Sequence, residues 1–273
     1  MSDTHSDSNE ARERDDSSST AQSSLSPRFS LRSLFIVTMV SCALLAAIVP
    51  LIRAANQAST LLVCTNNLKQ IALALNNYHD VNGMFPWAVT YAEDGTPIHS
   101  WRVRIMPYLE QNPFYDRYDF HEPWNGPKNR LLGDEVPDTW RDNGGHVSEY
   151  VYCPAPYRCP SAPRTQDRRH TNYVMLIDDR PGKPNGPPNR PGGVPTSFAD
   201  RSAVIVIEIA DSDIHWMEPR DVLLSELSMK INDHSKRSLS SYHGGACIAH
   251  ADGRVEILDE ATTEERVREL LTL

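Results

Sequence analysis

From Leu34 to Ile52 the chain reads LFIVTMVSCALLAAIVPLI, nineteen positions without a charged side chain. At about 1.5 Å per residue, a helix of this length nearly matches a hydrocarbon core of roughly 30 Å. A helix apolar on every face must be wrapped by a large core or by lipid. The residues before it cannot supply the core: positions 1–28 hold nine serines, six acids and three arginines, with Leu25 as their one large aliphatic side chain. Such a segment cannot offset the entropy of ordering, and it reads as a disordered tail. Arg28 and Arg32 precede the apolar run and Arg53 follows it. That bias predicts a transmembrane helix over 29–53, with the tail in the cytoplasm and residues 54–273 outside the cytoplasmic (inner) membrane. A cleaved signal peptide fits less well, because 33 residues before an apolar core is long for one. The sequence MVSC at 39–42 has the look of a lipoprotein cleavage box, but apolar residues continue for ten positions after Cys42.

The helix does not stop at the membrane boundary. No Gly or Pro falls between 51 and 82, and Leu61, Leu68 and Leu75 recur every seven residues. Cys64, Ile71, Ala72 and Tyr78 fill the intervening steps, so one helix is predicted from about residue 30 to 81, with Pro50 as its expected kink. Its outer half is amphipathic and has to lay a stripe on something, most simply a sheet.

Beyond the helix, SWRVRIMPYL (100–109) reads as a short helix ending near Pro107 or as a strand, with the helix preferred. The run VIVIEIA (204–210) is β-branched and apolar, a buried strand carrying Glu208. In ACIAHADGRVEIL (246–258), two β-prone runs flank Asp252-Gly253, which predicts a hairpin. Thr262 or Thr263 caps a closing helix with Val267, Leu270 and Leu271 on one side. Residues 180–195 hold six prolines and four glycines and read as an exposed loop. The net charge of −9, with no basic stripe, argues against a nucleic-acid partner.

Several blocks carry a resemblance. RFSLRSLFIVTMVSCALLAAIVPLI is similar to the N-terminal segment of type IV pilin-like proteins. More specifically, CTNNLKQIALALNNYHDVNGMFP (64–86) resembles the signature of the DUF1559 family. The likeness runs on through SWRVRIMPYLEQNPFYDRYDFHEPWNGPKN (100–129), YRCPS (157–161), TNYVMLI (171–177), VIVIEIADSDIHWMEPRDV (204–222) and HGGACIAHADGRVEIL (243–258). The residues that fall on its motifs are Asn67, Lys69, Gln70, Tyr78, His79, His243, Asp252 and Gly253. The resemblance implies an α+β, pilin-like fold: a long transmembrane and amphipathic helix packed on an antiparallel β-sheet, with Pro/Gly-rich loops. It also implies pilin-like or secretion-apparatus subunits as partners. Two positions depart from the pilin pattern, Arg28 where Gly precedes the first Phe and Ser33 where Glu follows it, so processing at Phe29 is not expected. The C-terminal motif has eight residues between His243 and Asp252, where the family has nine.

Cys64, Cys153, Cys159 and Cys247 would face an oxidising side, and four cysteines allow three pairings. The family motifs centre on Cys64 and Cys159 and imply that pair, with a local Cys153–Cys159 bridge as the alternative. Cys153 and Cys159 lack the short spacing of a zinc site, so no metal and no cofactor are expected. His243, His250 and Asp252, with His215 after Glu208, Asp211 and Asp213, could bind a cation or move protons. The structural reading, a satisfied histidine and an aspartate that shapes its turn, is preferred, and no catalytic residue is assigned. Trp216, Arg220 and Trp101, near Arg102, Arg104 and Trp124, are the candidates for a ligand groove; such clusters more often fill a core interface. The expected role is that of a non-enzymatic, membrane-anchored envelope protein in structure, assembly or secretion. The alternatives are an anchored module binding a glycan or peptide, and an envelope hydrolase built on His243, Asp252 and Glu208.

Overall fold

Helix α1 runs without a break from Leu31 to Asn82, through Pro50, as the periodicity predicts. The computed structural model describes residues 30–109, 112–133, 153–163, 165–180, 202–233 and 235–272. The predicted tail (1–28) and all of the predicted Pro/Gly loop beyond Arg180 lie outside these residues. The chain divides into two units, Met1–Leu51 and Ile52–Leu273.

In the first unit the helix is exposed on every side, with Phe35 at 69% and Leu51 at 71% of their full exposure. The Thr38 hydroxyl is satisfied within the helix, since Oγ1 donates to the Leu34 carbonyl at 2.6 Å. Among the described residues, α1 is the one helix long and apolar enough to span a membrane. It ends where Gly83 takes a positive φ of 74° and donates its N–H to the His79 carbonyl, as a helix C-cap requires.

The second unit is α+β. Its main sheet has five strands in the order β5-β3-β4-β6-β7. These are β3 (Tyr173–Ile177), β4 (Val204–Glu208), β5 (Val222–Leu223), β6 (Gly245–His250) and β7 (Val255–Asp259). The predicted hairpin is β6–β7, with five paired positions and Gly253 at φ +91° in its turn. The predicted strand over 204–210 is shorter and ends at Glu208, although Ile209 still donates its N–H to the Asn172 carbonyl. The resemblance implies an antiparallel sheet, and β3–β4, β4–β6 and β6–β7 pair that way, while the edge strand β5 pairs parallel with β3. The chain passes through β4 and an irregular layer before it returns, which gives the long crossover that parallel pairing needs.

Each face of the sheet has its own core. Tyr173, Met175, Cys247 and Ala249 join Cys64, Leu68, Ile71, Ala72 and Leu75 of α1. Val174, Leu176, Ile207, Ala246, Ile248 and Leu258 join Val267, Leu270 and Leu271 of α5 (Glu264–Leu271). Thr263 caps α5 by accepting the Arg266 N–H. The small side chains of Cys247, Ala249 and Ala251 leave room for α1, and Asn76 Nδ2 reaches the Ala251 carbonyl at 3.2 Å. The β4–β6 register slips between Val204 and Val206. Val204 therefore faces α5 while Val206 faces α1. The slip also turns Glu208, two residues further on, to the α1 side.

A two-stranded ribbon, β1 (Val89–Tyr91) with β2 (Pro97–Ser100), leads into α2 (Trp101–Arg104), with Ser100 Oγ accepting the Arg102 N–H at the cap. The predicted short helix over 100–109 is thus α2 followed by a 3-10 turn, Met106–Leu109. His99 is buried on this ribbon, with Nδ1 3.0 Å from Tyr118 Oη and Nε2 3.1 Å from the Phe120 carbonyl. One neutral tautomer satisfies both contacts, and burial holds its pKa below the ordinary imidazole value against the pull of Phe120. A histidine kept neutral in the fold stabilises it above the unfolded pKa of about 6.5 and loses that contribution as pH falls from there through its lower folded value. Acidification from neutral pH should therefore lower the melting temperature, and the slope should shrink in His99→Asn; an identical slope in the variant refutes this role.

Candidate functional site

Four residues from four distant segments meet beneath α1. They are Cys64 on the helix, Cys159 just after the 3-10 turn Ala155–Tyr157, Glu208 at the end of β4, and His243 just before β6. One Sγ, Nε2 or carboxylate oxygen from each lies within 4.8 Å of all the others, and all four are buried. The sulfurs of Cys64 and Cys159 are 3.0 Å apart, and His243 Nε2 is 3.2 Å from Glu208 Oε1.

The surroundings fix each donor. Asn67, one helical turn beyond Cys64, donates to the carbonyls of Ala155 and Arg158 and ties α1 to the turn that carries Cys159. Asn172 Oδ1 accepts the Cys159 N–H at 2.8 Å while its Nδ2 reaches the Ala210 carbonyl at 2.6 Å. Glu208 Oε2 accepts the Cys247 N–H at 3.0 Å, which leaves Oε1 for the cluster. Ser241 Oγ stands 3.2 Å from His243 Nδ1 and accepts the N–H groups of His243 and Gly245.

The charges are shared unevenly. A hydrogen bond from the Cys159 thiol pulls Cys64 down to about 7 against the cost of burial, and His243 pulls the same way. Cys159, which holds the shared proton and is itself buried, is pushed far above the ordinary thiol range. Burial disfavours the charged form of His243, yet its contacts with Cys64 and Glu208 carry it up to about 9. Two sulfurs, an imidazole and a carboxyl group are packed into one small volume. Such a set can exchange its protons for a divalent cation or lose them in oxidation of the two thiols.

The Cys64–Cys159 pair implied by the family motifs is thus brought together, as two thiols in contact rather than as a disulfide. An S–S bond would be about 2.05 Å long. Cys153, the alternative partner, is buried and stands outside the cluster.

The remaining sequence candidates are dispersed. Asp252 Oδ1 accepts the Arg254 N–H in the β6–β7 turn, at the opposite end of β6 from His243. His243 and Glu208 meet, but Asp252 does not join them, because a six-residue strand at about 3.3 Å per residue separates the two ends. Asp211 accepts the Tyr242 hydroxyl at 2.6 Å, His250 is fully buried, and the His215 ring lies 5.2 Å from that of Trp124. On α1, Lys69 and Gln70 face outward. Tyr78 meets Tyr108 edge-on at 6.0 Å and His79 tilts against Phe85 at 4.8 Å.

The candidate ligand groove resolves into core. Trp101 and Trp216 have no exposed surface. Trp216 packs 4.7 Å from Phe114 and stacks on Tyr157 at 6.5 Å. Trp101 Nε1 donates to Asp221, which also receives Arg102 and the Met175 N–H. Arg220 is half-exposed, held by Glu218 at 2.7 Å and by the Asp213 carbonyl at 2.7 Å.

In the sequence, Cys64 and Cys159 suggest a disulfide, the spacing of Cys153 and Cys159 argues against zinc, and His243 and Glu208 fall in a different group with Asp252. The signal that could have joined them was their distribution: each of the four stands in a separate block of the DUF1559 resemblance. Among families, residues 54–208 match the one described as protein of unknown function (DUF1559). That span includes Cys64, Cys159 and Glu208 and exceeds half of the chain. No curated protein and no solved structure matches the sequence.

Proposed function

The chain belongs to the DUF1559 family, and from that premise we propose that it is a membrane-anchored cell-envelope protein with a non-enzymatic role in structure, assembly or secretion. The observation that carries this reading is the two-part character of α1. One continuous helix has a fully exposed apolar segment over 34–52 and a packed segment from Cys64 to Leu75. The first part suits lipid, where backbone groups are satisfied within the helix. The second makes residues 64–75 of the same helix an integral piece of the following domain.

The enclosure of the reactive side chains supports a non-enzymatic role. Cys64, Cys159 and Glu208 are at most 1% exposed and His243 is 8% exposed. A substrate would have no surface from which to reach them. The weak arginine bias around the apolar run supports a cytoplasmic N-terminus and an extracytoplasmic domain.

Protease treatment of spheroplasts carrying a tag at each end tests the placement. The C-terminal tag should be digested and the N-terminal tag protected, and the protein should stay in the pellet after an alkaline carbonate wash. The reverse protection, or release by the wash, refutes it. The intact mass from the same membranes should retain the residues before Phe29, because Arg28 and Ser33 replace the residues a prepilin peptidase reads. A chain beginning at Phe29 would instead make this a processed pilin-like subunit.

A further inference from the structure

We propose that Cys64, Cys159, Glu208 and His243 form a closed site for one thiophilic divalent cation of the zinc class, which clamps α1 to the sheet. Two sulfurs, an imidazole nitrogen and a carboxylate oxygen are donors that zinc accepts together in four-coordinate sites. The geometry is close to what such an ion needs. With bond lengths of about 2.0–2.3 Å, the edges of a tetrahedron are about 3.3–3.8 Å. The His243–Glu208 edge is already 3.2 Å, and the sulfurs, at 3.0 Å, would have to part by less than an ångström.

The outer shell is also in place. Metal-bound imidazoles are oriented by a hydrogen bond at the other ring nitrogen, and His243 Nδ1 has Ser241 Oγ at 3.2 Å. Glu208 has one oxygen engaged by Cys247 N–H and one facing the cluster. The buried Tyr173 hydroxyl has no partner at hydrogen-bonding geometry among the described residues, yet lies near enough to Cys64 to favour its thiolate. It is positioned to donate to a sulfur whose charge a cation would hold in place.

Occupancy needs both cysteines as thiolates and Nε2 without its proton. Any protons these donor atoms carry therefore leave for solvent as the cation enters. All four positions are taken by protein and all four residues are buried, which leaves no open position for a water or substrate. The site is therefore structural rather than hydrolytic. It links the helix, the Cys159 turn, β4 and the loop before β6, which are otherwise joined by hydrogen bonds and packing.

A disulfide would use the same two sulfurs, with two protons and two electrons going to an oxidant, and would abolish the site. The two states are distinguished on the full-length protein extracted from its own membranes. Free thiols are blocked at once, and metal content and intact mass are then measured. About one zinc per chain is expected, with both thiols reduced. After chelation, Co2+ should bind with the visible bands of a tetrahedral thiolate complex, and Zn2+ should displace it and raise the melting temperature. Cys159→Ser should lose the bands and the zinc-dependent thermal shift, Cys153→Ser should keep both, and Ser241→Ala should weaken binding by about 10–100-fold. A metal-free protein two hydrogens lighter at Cys64–Cys159 overturns the proposal. So does the absence of any Co2+ or Zn2+ response in the reduced wild-type chain, which does not depend on any variant folding.

Discussion

Asp221→Ala should destabilise the outer domain by about 3–5 kcal/mol, because it strands a buried guanidinium. Arg102 and Asp221 side chains are both inaccessible to solvent, with Nη2 2.6 Å from Oδ1. Burial pushes the Asp221 carboxyl up to about 6 even against the attraction of Arg102, so desolvation outweighs Coulomb attraction at this pair. The carboxylate is nevertheless the common acceptor for Trp101 Nε1, Arg102 and Met175 N–H, from the ribbon-helix segment and from β3. Arg102 is pinned further by the Tyr173 carbonyl at 3.2 Å and by Ser100 Oγ at 3.0 Å. Removing the acid leaves a buried guanidinium without its counter-ion and takes the shared acceptor from the Trp101 and Met175 donors.

The double variant Arg102→Met, Asp221→Leu separates these costs. It removes the stranded charge and should recover part of the loss, while the Trp101 and Met175 donors still cost about 1–3 kcal/mol each. Urea unfolding of the detergent-solubilised full chain, followed by tryptophan fluorescence, measures all three. An Asp221→Ala protein as stable as wild type, or a double variant less stable than Asp221→Ala, contradicts this account.

The second large effect is expected at Trp216. Truncation to alanine should cost about 3–5 kcal/mol, through lost burial and the cavity left between Phe114 and Tyr157. Against a typical domain stability of about 5–15 kcal/mol, that approaches unfolding. Trp216→Phe should cost much less, since it keeps an aromatic ring in the stack. The pair of variants also discriminates between roles. A ligand-stacking tryptophan would lose binding on truncation and leave the unfolding midpoint in place. A core tryptophan moves the midpoint, and a Trp216→Ala protein with an unchanged midpoint would return this residue to a binding surface.

The features legible in the sequence are those written in short-range pattern. Nineteen uncharged positions demand a helix apolar on every face, wherever the rest of the chain lies. The seven-residue recurrence of Leu61, Leu68 and Leu75 carries that helix to its end at Asn82. Asp252-Gly253 announces the β6–β7 hairpin because a tight turn needs a residue tolerant of positive φ. Thr263 caps α5 through a hydrogen bond spanning three residues. In each case the physics acts over a turn or two of chain, so neighbouring residues contain the information.

The tertiary structure decided the rest, because those contacts join residues far apart in the chain. The register slip between Val204 and Val206 turned Glu208 toward α1, and a strand read in isolation does not reveal on which face it lies. Trp101 and Trp216, which composition alone offers to a ligand, became core because partners distant in the chain, Asp221 and Phe114, covered them. Cys64 met Cys159 across a separation of 95 residues, and His243 met Glu208 across 35. The sequence by itself determined an anchor helix, a hairpin and a capped closing helix. Only the packing of helix on sheet could bring two thiols, an imidazole and a carboxylate into one buried volume, since nothing local attracts them to each other.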